Sequence, residues 1–335
     1  MGVPFPWQAG IWQQVQQVQQ TGRMPHGIIL SGSKGVGKEA FAYYLARFLM
    51  CLAPVNGHAC QTCKSCLLLE ASSHPDVRIF APEDDGRILK VDQIRDLNEF
   101  IVKTPQQGLR KVAILHPAEA MNANAANALL KTLEEPSADA VLILISHATG
   151  QLLPTIRSRC QVWSFPLPDQ QESTHWLQAK LELQAEEAGY LLQVAQGAPL
   201  LAVALAENSA LELRSSMLAD LAQLLKREAS PFEVASRWQK QDLTLILNWL
   251  YQWSASLIAY RATGRADRIY DESGRAMLEY VAGKASAEML YQFLDRIAEA
   301  IRELQANQNP NVQLLLESLL SRWLALIARR NRRST

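Results

Sequence analysis

The sequence predicts an α/β fold with a mostly parallel sheet in its first half, followed by an all-helical second half. Short continuous apolar runs alternate with helical stretches up to about residue 165, as expected for strands that are buried on both faces between crossover helices. A glycine-rich turn follows the first of these runs. After Pro166-Leu167-Pro168 the strand signals end, and leucine and alanine dominate the rest of the chain.

Five runs rich in valine, isoleucine or leucine are the candidate strands. They are Ile28 to Ser31, Val77 to Phe80, Val112 to Leu115, Val141 to Ile145 and Val162 to Phe165. Helices are predicted near 37–52, 91–103 and 118–135, and the glutamine-rich piece Gln13 to Gln20 is read as an amphipathic helix. In the second half, the helical segments are Trp176 to Gln196, Ala210 to Lys226, Leu243 to Arg261 and Val312 to Arg329.

Two breaks divide the helical half. Gly197-Ala198-Pro199 interrupts it first and Ser230-Pro231 interrupts it again, because glycine and proline both disrupt a continuing helix. We therefore expect three domains: an α/β domain over 1–165, a small helical domain over 166–208 and a larger helical domain over 209–335.

Composition limits the classes of function. The 335 residues contain 33 basic and 33 acidic side chains, so any nucleic-acid contact would need a local basic patch. Neither a membrane-spanning apolar run nor a secretory leader is recognisable, and the expectation is a soluble cytoplasmic chain. The basic tail Arg329 to Arg333 is read as a solvated end, with nucleic-acid contact as the alternative.

The stretch Gly32-Ser33-Lys34-Gly35-Val36-Gly37-Lys38-Glu39 lies between the first strand and a helix. This is the layout of a phosphate-cradling loop, in which Gly32, Gly35, Gly37 and Lys38 would shape the turn and reach the phosphates. The pattern requires Ser or Thr after the lysine to hold magnesium, and the chain has Glu39. The sequence therefore predicts a degenerate nucleotide loop.

The end of the third strand departs from the hydrolase pattern as well. A working hydrolase places carboxylates there to hold magnesium and polarise water, whereas this chain has His116-Pro117-Ala118-Glu119. Glu119 is interpreted as a carboxylate in the first turn of a helix. Two independent parts of the hydrolytic apparatus are therefore altered.

Four cysteines lie close together as Cys51, Cys60, Cys63 and Cys66. The two short spacings allow four thiolates to converge on one metal, which favours a closed structural zinc site. Four unrelated buried cysteines, a redox pair and an iron–sulfur cluster are the alternatives, and His58 or His74 is a possible substitute ligand. Cys160 is read as a small buried residue.

Two arginines, Arg157 and Arg159, precede the last strand. On composition they are surface charge. Their place at an edge of the domain also allows a guanidinium to stabilise transition-state charge in the nucleotide site of a neighbouring subunit. The helix Asn127 to Pro136 is amphipathic, with Glu134 and Glu135 read as solvated charges.

The helix Asn127 to Pro136, the stretch Leu153 to Cys160 and the four-cysteine insertion together resemble bacterial clamp loader subunits of the AAA+ class. The resemblance implies a RecA-like α/β domain over 1–165 with its zinc module at 51–66, a small helical lid domain over 166–208 and a helical collar domain over 209–335. It is strongest over residues 28–165.

The resemblance also implies roles for individual residues. Arg159 would be an arginine finger acting on ATP bound by an adjacent subunit, and Ser146 would occupy the polar sensor position. Gly197-Ala198-Pro199 matches the sensor segment of the lid but carries no arginine. The cysteines would hold structural zinc, and ATP would be neither bound nor hydrolysed by this chain.

The implied function is that of a non-hydrolysing clamp loader subunit in DNA replication. Its partners would be the gamma/tau ATPase subunits and the delta subunit, with the sliding clamp and primed DNA reached through the complex and no membrane involved. A DNA polymerase classification would apply only to the whole assembly. The alternatives are a gamma/tau-like ATPase and a zinc-dependent DNA-binding protein.

Overall fold

A computed structural model of the chain describes residues 3–83, 88–107, 110–137, 139–265, 268–305 and 311–328. The chain divides into two compact units, Met1–Ala204 and Leu205–Thr335. The basic tail Arg329 to Arg333, singled out from the sequence, lies outside the described residues.

The first unit contains a sheet of five parallel strands in the order β2-β3-β4-β1-β5. The strands are β1 Gly27–Ser31, β2 Val77–Phe80, β3 Lys111–Leu115, β4 Ala140–Ser146 and β5 Gln161–Ser164. All five predicted strands are confirmed, with bounds that differ by no more than a residue at either end. Since the strands are parallel, the segments that follow β1, β3 and β4 meet at one edge of the sheet.

Helices cover both faces of this sheet. Those of the first unit are α1 Ala9–Gln20, α2 Lys38–Met50, α3 Lys64–Glu70, α4 Val91–Val102, α5 Ala123–Glu134, α6 Pro154–Arg157, α7 Gln170–Leu181 and α8 Ala185–Val194, and α9 Pro199–Glu207 begins in it. Alternate strand residues belong to two separate cores: Ile28 and Leu30 to one, Ile29 to the other. The continuous apolar runs in the sequence follow from this burial on both faces.

Two predicted helices are shorter than expected. The helix predicted over 118–135 begins only at Ala123, because Asn122 Oδ1 accepts the N–H of Ala125 at 2.9 Å and caps it. Residues Ala118–Ala120 form a separate 3-10 turn. The segment predicted from Trp176 to Gln196 is divided at Glu182, whose φ of 56° ends α7 in the left-handed region.

The described part of the second unit consists of helices and their connections, with no strand among them. Its helices are α10 Ala210–Lys226, α11 Pro231–Trp238, α12 Leu243–Thr263, α13 Arg275–Lys284, α14 Ala287–Gln305 and α15 Val312–Ala325. The predicted break at Ser230-Pro231 is the start of α11, where Ser230 Oγ accepts the N–H of Glu233 at 3.2 Å and the Glu233 carboxylate accepts the N–H of Ser230 at 2.8 Å. This reciprocal pair is a capping box, which fixes the beginning of the helix.

A buried ion pair joins two segments of the second unit. Arg214 of α10 is 0% exposed, and its Nε and Nη2 each donate to the Asp271 carboxylate at 2.7 Å. Trp253 Nε1 donates to Asp271 Oδ2 at 2.9 Å, and the Trp253 ring lies 4.8 Å from the guanidinium carbon. The bidentate geometry and the indole donor satisfy two charges that burial would otherwise penalise.

Among the described helices, none alone combines the length and the apolar composition needed to cross a membrane. The pair α8 and α9, bent by 100° at the break between them, meets those two criteria only when taken together.

Candidate functional site

The phosphate loop lies at the carboxyl edge of the sheet, between β1 and α2. Gly35 and Gly37 have φ values of 86° and 87°, in the left-handed region where a side chain would be strained. Gly32 lies against Phe165, the residue that follows the last strand, since a Cβ atom at Gly32 would overlap the carbonyl oxygen of Phe165. The predicted glycines therefore shape a tight turn from strand to helix.

The lysine of the loop is folded back on the loop itself. Lys38 Nζ donates to the carbonyl oxygens of Gly32 at 2.5 Å and Ser33 at 2.6 Å, and the residue is only 2% exposed. Burial lowers the pKa of Lys38 to about 8, while the Glu119 carboxylate acts in the opposite direction. In a nucleotide site this ammonium would point at the terminal phosphates; here it is engaged by backbone carbonyls.

The segment before α1 covers one side of the loop. Trp7 Nε1 donates to Val36 O at 3.0 Å, and Gln8 Nε2 donates to Gly37 O at 2.9 Å. The Phe5 ring is so close that a Cβ atom on Gly37 would lie 2.5 Å from its Cδ2. Phe5 stacks on Trp7 at 5.1 Å, and both rings meet Trp176 of α7 edge-on.

Helix α9 contacts the other side. The N–H of Leu200 donates to Gly35 O at 2.9 Å, and a Cβ atom on Gly35 would lie 2.7 Å from Leu201 Cβ. The loop is thus held between the beginning of the chain and the beginning of α9. Sequence reasoning gave no role to Phe5, Trp7 or Leu200, and the aromatic cluster near the N-terminus was the one available signal.

A cavity of about 480 Å³ remains beside the loop, with Lys34, Glu39, Tyr43, His116 and His147 among its lining residues. His116 follows β3 at the position expected to carry the magnesium carboxylates. Its Nε2 lies 3.1 Å from His147 Nε2. Burial lowers the pKa of both rings, that of His147 to about 3 with the Lys38 charge adding to the effect.

Glu119 and Ser146 both form contacts within the chain. Glu119 lies in the first turn of the short 3-10 helix after β3, as interpreted from the sequence, and its Oε1 accepts the N–H of His147 at 2.8 Å. Ser146 is fully buried at the end of β4, and its Oγ accepts the N–H of Ala148 at 3.3 Å. The sensor role of Ser146 stays a prediction.

The four predicted cysteines converge. The Sγ atoms of Cys51, Cys60, Cys63 and Cys66 all lie within 4.8 Å of one another. The N–H of Cys60 donates to Cys51 Sγ at 3.2 Å, and the N–H of Cys63 donates to Cys60 Sγ at 3.3 Å. Backbone donors from residues 62 and 63 lower the pKa of Cys60 to about 6, and burial raises that of Cys66 to about 12. Four sulfur donors with supporting N–H groups fit a tetrahedral metal ion such as zinc.

The alternative ligands are engaged elsewhere. His58 Nδ1 lies 2.6 Å from Tyr44 Oη. His74 is buried, with Nε2 2.8 Å from Ser65 Oγ and Nδ1 accepting the N–H of Asp76. Cys160 is partly buried and packs against the hydrophobic core that contains Leu133. Within the described residues, the candidate metal group therefore consists of the four cysteines alone.

Arg159 lies at the opposite edge of the sheet from the phosphate loop. It follows α6 and precedes β5, which runs parallel to β1, so the length of a five-residue strand, roughly 15 Å, separates it from the loop. Arg159 Nη2 lies 2.6 Å from Glu134 Oε1, and Nη1 donates to Thr155 O at 3.1 Å. The two sequence motifs that carry Glu134 and Arg159 are thus in contact. Arg157 is exposed.

The parallel sheet with a phosphate loop between β1 and α2, followed by helical segments, has the arrangement of a phosphate-loop α/β protein. The family described as "DNA polymerase III, delta subunit" matches residues 7–169, and its C-terminal counterpart matches residues 208–325. Proteins named DNA polymerase III subunit delta' are similar to the chain over nearly its whole length. The one from Pseudomonas aeruginosa is 38% identical, over 96% of this chain and 98% of its own.

The corresponding protein of Haemophilus influenzae is 30% identical over 95% of this chain and 96% of its own. That of Escherichia coli K12 is 27% identical over 95% and 94% respectively. The chain belongs to the family of DNA polymerase III delta' subunits. The resemblance to clamp loader subunits seen in the sequence is thereby confirmed.

Proposed function

We propose that this chain is the non-hydrolysing subunit of a bacterial clamp loader and that Arg159 acts as an arginine finger on ATP bound by a neighbouring subunit. The neighbours would be gamma/tau-type ATPase subunits, with a delta subunit also in the assembly. ATP hydrolysis in those neighbours would drive placement of the sliding clamp on primed DNA. The delta' name shared by the full-length relatives supports this assignment.

The observation that carries the proposal is that two cations differ in their exposure. The Lys38 ammonium is buried on the carbonyls of its own loop, whereas the Arg159 guanidinium lies partly exposed at the far edge of the sheet. A buried cation bound to the carbonyls of its own loop has little to offer a nucleotide. A partly exposed arginine that lies out of reach of its own loop suits a phosphate that belongs to another chain.

The residues around the loop support the absence of hydrolysis. Glu39 stands where a hydroxyl would hold magnesium, and His116 stands where a carboxylate would. Both imidazoles in the cavity have lowered pKa values, so they are neutral at pH 7 and do not replace a metal ion's charge. Any catalysis by the complex would then take place in other subunits.

Zinc would have a structural role in this proposal. Cys51 ends α2, and Cys63 and Cys66 begin α3. A metal bound to these thiolates would fix the connection between two helices that has little apolar core of its own. Four protein ligands leave no position for water, which excludes hydrolytic chemistry at this metal.

The test is to assemble the loader with Arg159→Ala and measure DNA-stimulated ATP hydrolysis and clamp loading. Arg157→Ala is the matched control, since it removes the same kind of side chain two residues away. We expect hydrolysis at the adjacent site to fall by ~10³ or more with Arg159→Ala, and the control to behave as the unmodified chain. Unchanged hydrolysis with Arg159→Ala would refute the assignment.

A further inference from the structure

We infer that Glu134 is a positioning residue for Arg159, an inference that rests on the proposed function. Glu134 is the last residue of α5, and its Oε1 lies 2.6 Å from Arg159 Nη2. The sequence suggested only a solvated charge at this position. In the structure, its carboxylate holds one side of the guanidinium.

Two further acceptors hold the other side. Arg159 Nη1 donates to Thr155 O at 3.1 Å and approaches Ser158 Oγ at 3.5 Å. Thr155 belongs to α6 and Ser158 caps its end, so the guanidinium is fixed between the ends of two helices, α5 and α6. A long side chain held from two directions keeps one orientation out of many available rotamers.

The contacts leave donors for an anion. A guanidinium has five N–H groups, and the three acceptors engage only Nη1 and Nη2. Among the described residues, Nε has no acceptor in this arrangement. A phosphate oxygen arriving from a neighbouring chain can therefore be bound while Glu134 stays in place.

The strength of the ion pair does not explain its presence. The Arg159 and Glu134 side chains are 35% and 49% exposed, and pairs at such exposure contribute little to folding stability. The ion pair matters instead for the orientation of the Arg159 guanidinium, because catalytic groups that are held in place before the substrate arrives give faster reactions than mobile groups. Glu134 acts on the rate through Arg159 and touches no nucleotide.

A carboxylate that restrained Arg159 and competed with phosphate would have the opposite effect. The two roles predict opposite signs. If Glu134 positions the arginine, removing it slows ATP hydrolysis; if Glu134 restrains it, removing it accelerates hydrolysis. The glutamine variant separates geometry from charge, because its Oε1 can still accept the Nη2 hydrogen bond.

The experiment uses the assembled loader with the full chain carrying Glu134→Ala or Glu134→Gln. We expect the part of kcat for DNA-stimulated ATP hydrolysis that depends on Arg159 to fall roughly 10-fold with alanine and KM for ATP to stay unchanged. Glutamine should restore kcat to within about 3-fold of the unmodified value. The control Glu135→Ala removes an exposed carboxylate next to Glu134 and should leave both constants unchanged.

Arg159→Ala is measured in parallel so that two kinds of failure are distinguishable. If Arg159→Ala has no effect, the proposed finger is wrong. If Arg159→Ala slows hydrolysis but Glu134→Ala does not, or accelerates it, only the positioning role is overturned. A glutamine variant as slow as alanine would also overturn it. Thermal unfolding of each variant excludes misfolding as the cause of any loss.

Discussion

The Glu39 carboxylate lies 3.8 Å from the Nδ1 atom of His116. These are the two residues that depart from the pattern of a nucleotide hydrolase, and they meet across one cavity although they belong to α2 and to the segment after β3. A magnesium ion would need a hydroxyl from the first position and a carboxylate from the second. The structure thus combines two separate sequence departures into a single altered site.

The first prediction concerns the charge of Glu39. Replacing it with threonine removes a negative charge beside the phosphate loop and supplies the hydroxyl of the usual pattern. Because Glu39 is exposed, solvent screens its charge, and we expect the affinity for magnesium-ATP to rise by no more than about 5-fold, with no hydrolysis, since His116 supplies no carboxylate. Calorimetric titration and a phosphate-release assay on the purified chain measure the two quantities. Hydrolysis by the unmodified chain would contradict the proposed function.

The second prediction concerns Lys38. Lys38→Met leaves the carbonyls of Gly32 and Ser33 without their donor, so the free energy of unfolding should fall by about 1–3 kcal/mol. ATP hydrolysis by the assembled loader should not change. Lys34→Met, in an exposed lysine of the same loop, is the control and should cost less than about 0.5 kcal/mol. A stable Lys38→Met chain that slows the loader would indicate that this lysine serves a nucleotide.

The third prediction concerns the four cysteines. Elemental analysis of the purified chain should find one zinc ion, and Cys63→Ser should lose it and lower the melting temperature. Chelation should have the same effect on the unmodified chain, because structural zinc contributes directly to folding. Cys160→Ser is the matched control and should keep the metal. An unmodified chain without metal would refute the zinc assignment.

The fourth prediction concerns the buried pair in the second unit. Arg214→Met leaves the Asp271 carboxylate buried without its partner, which should lower the free energy of unfolding by about 3–5 kcal/mol. The ion pair between Arg237 and Asp220 provides the comparison, since Arg237 is half exposed. Arg237→Ala should cost about 0–1 kcal/mol. Chemical denaturation measures both, and equal losses would show that burial does not distinguish the pairs.

The fifth prediction concerns pH. The pKa of His147 is about 3 in the folded chain and 6.5 ordinarily, so below pH 6.5 the unfolded chain binds a proton that the folded chain does not. Stability is therefore lost as pH falls through 6.5, by about 1–2 kcal/mol between pH 7 and pH 5. His147→Gln removes this contribution. Denaturation at both pH values should show a smaller loss in the variant, and parallel losses would contradict the prediction.

The strands, the phosphate loop and the cysteine cluster were predictable because each depends on neighbours in the sequence. Apolar runs indicate strands that are buried on both faces, glycines indicate a tight turn, and short cysteine spacings indicate that the thiolates converge on one point. The helix boundaries were less predictable. The start of α5 at Asn122 depends on one capping hydrogen bond, which an amphipathic pattern does not reveal.

The contacts that hold the phosphate loop and bury Lys38 join parts of the chain that are distant in the sequence. Nothing near Lys38 in the sequence indicates that its ammonium turns inward, or that Trp7 and Leu200 hold the same loop from two sides. Arg214 and Asp271 likewise show no pattern that pairs them. Such contacts arise when helices and strands that are distant in the sequence pack together. A local sequence pattern therefore does not identify which two residues form them.

Gly35 and Gly37 have a consequence for how such chains are recognised. Both glycines are required by backbone angles and by close neighbours, Leu201 and Phe5, and no phosphate enters that requirement. A substitution at either would be rejected for steric reasons even in a chain that never meets a nucleotide. The glycines and the lysine of this loop therefore indicate a backbone conformation and not nucleotide binding. The residue after the lysine and the residues that follow β3 are the positions that distinguish a nucleotide hydrolase from a chain that keeps only the conformation of the loop.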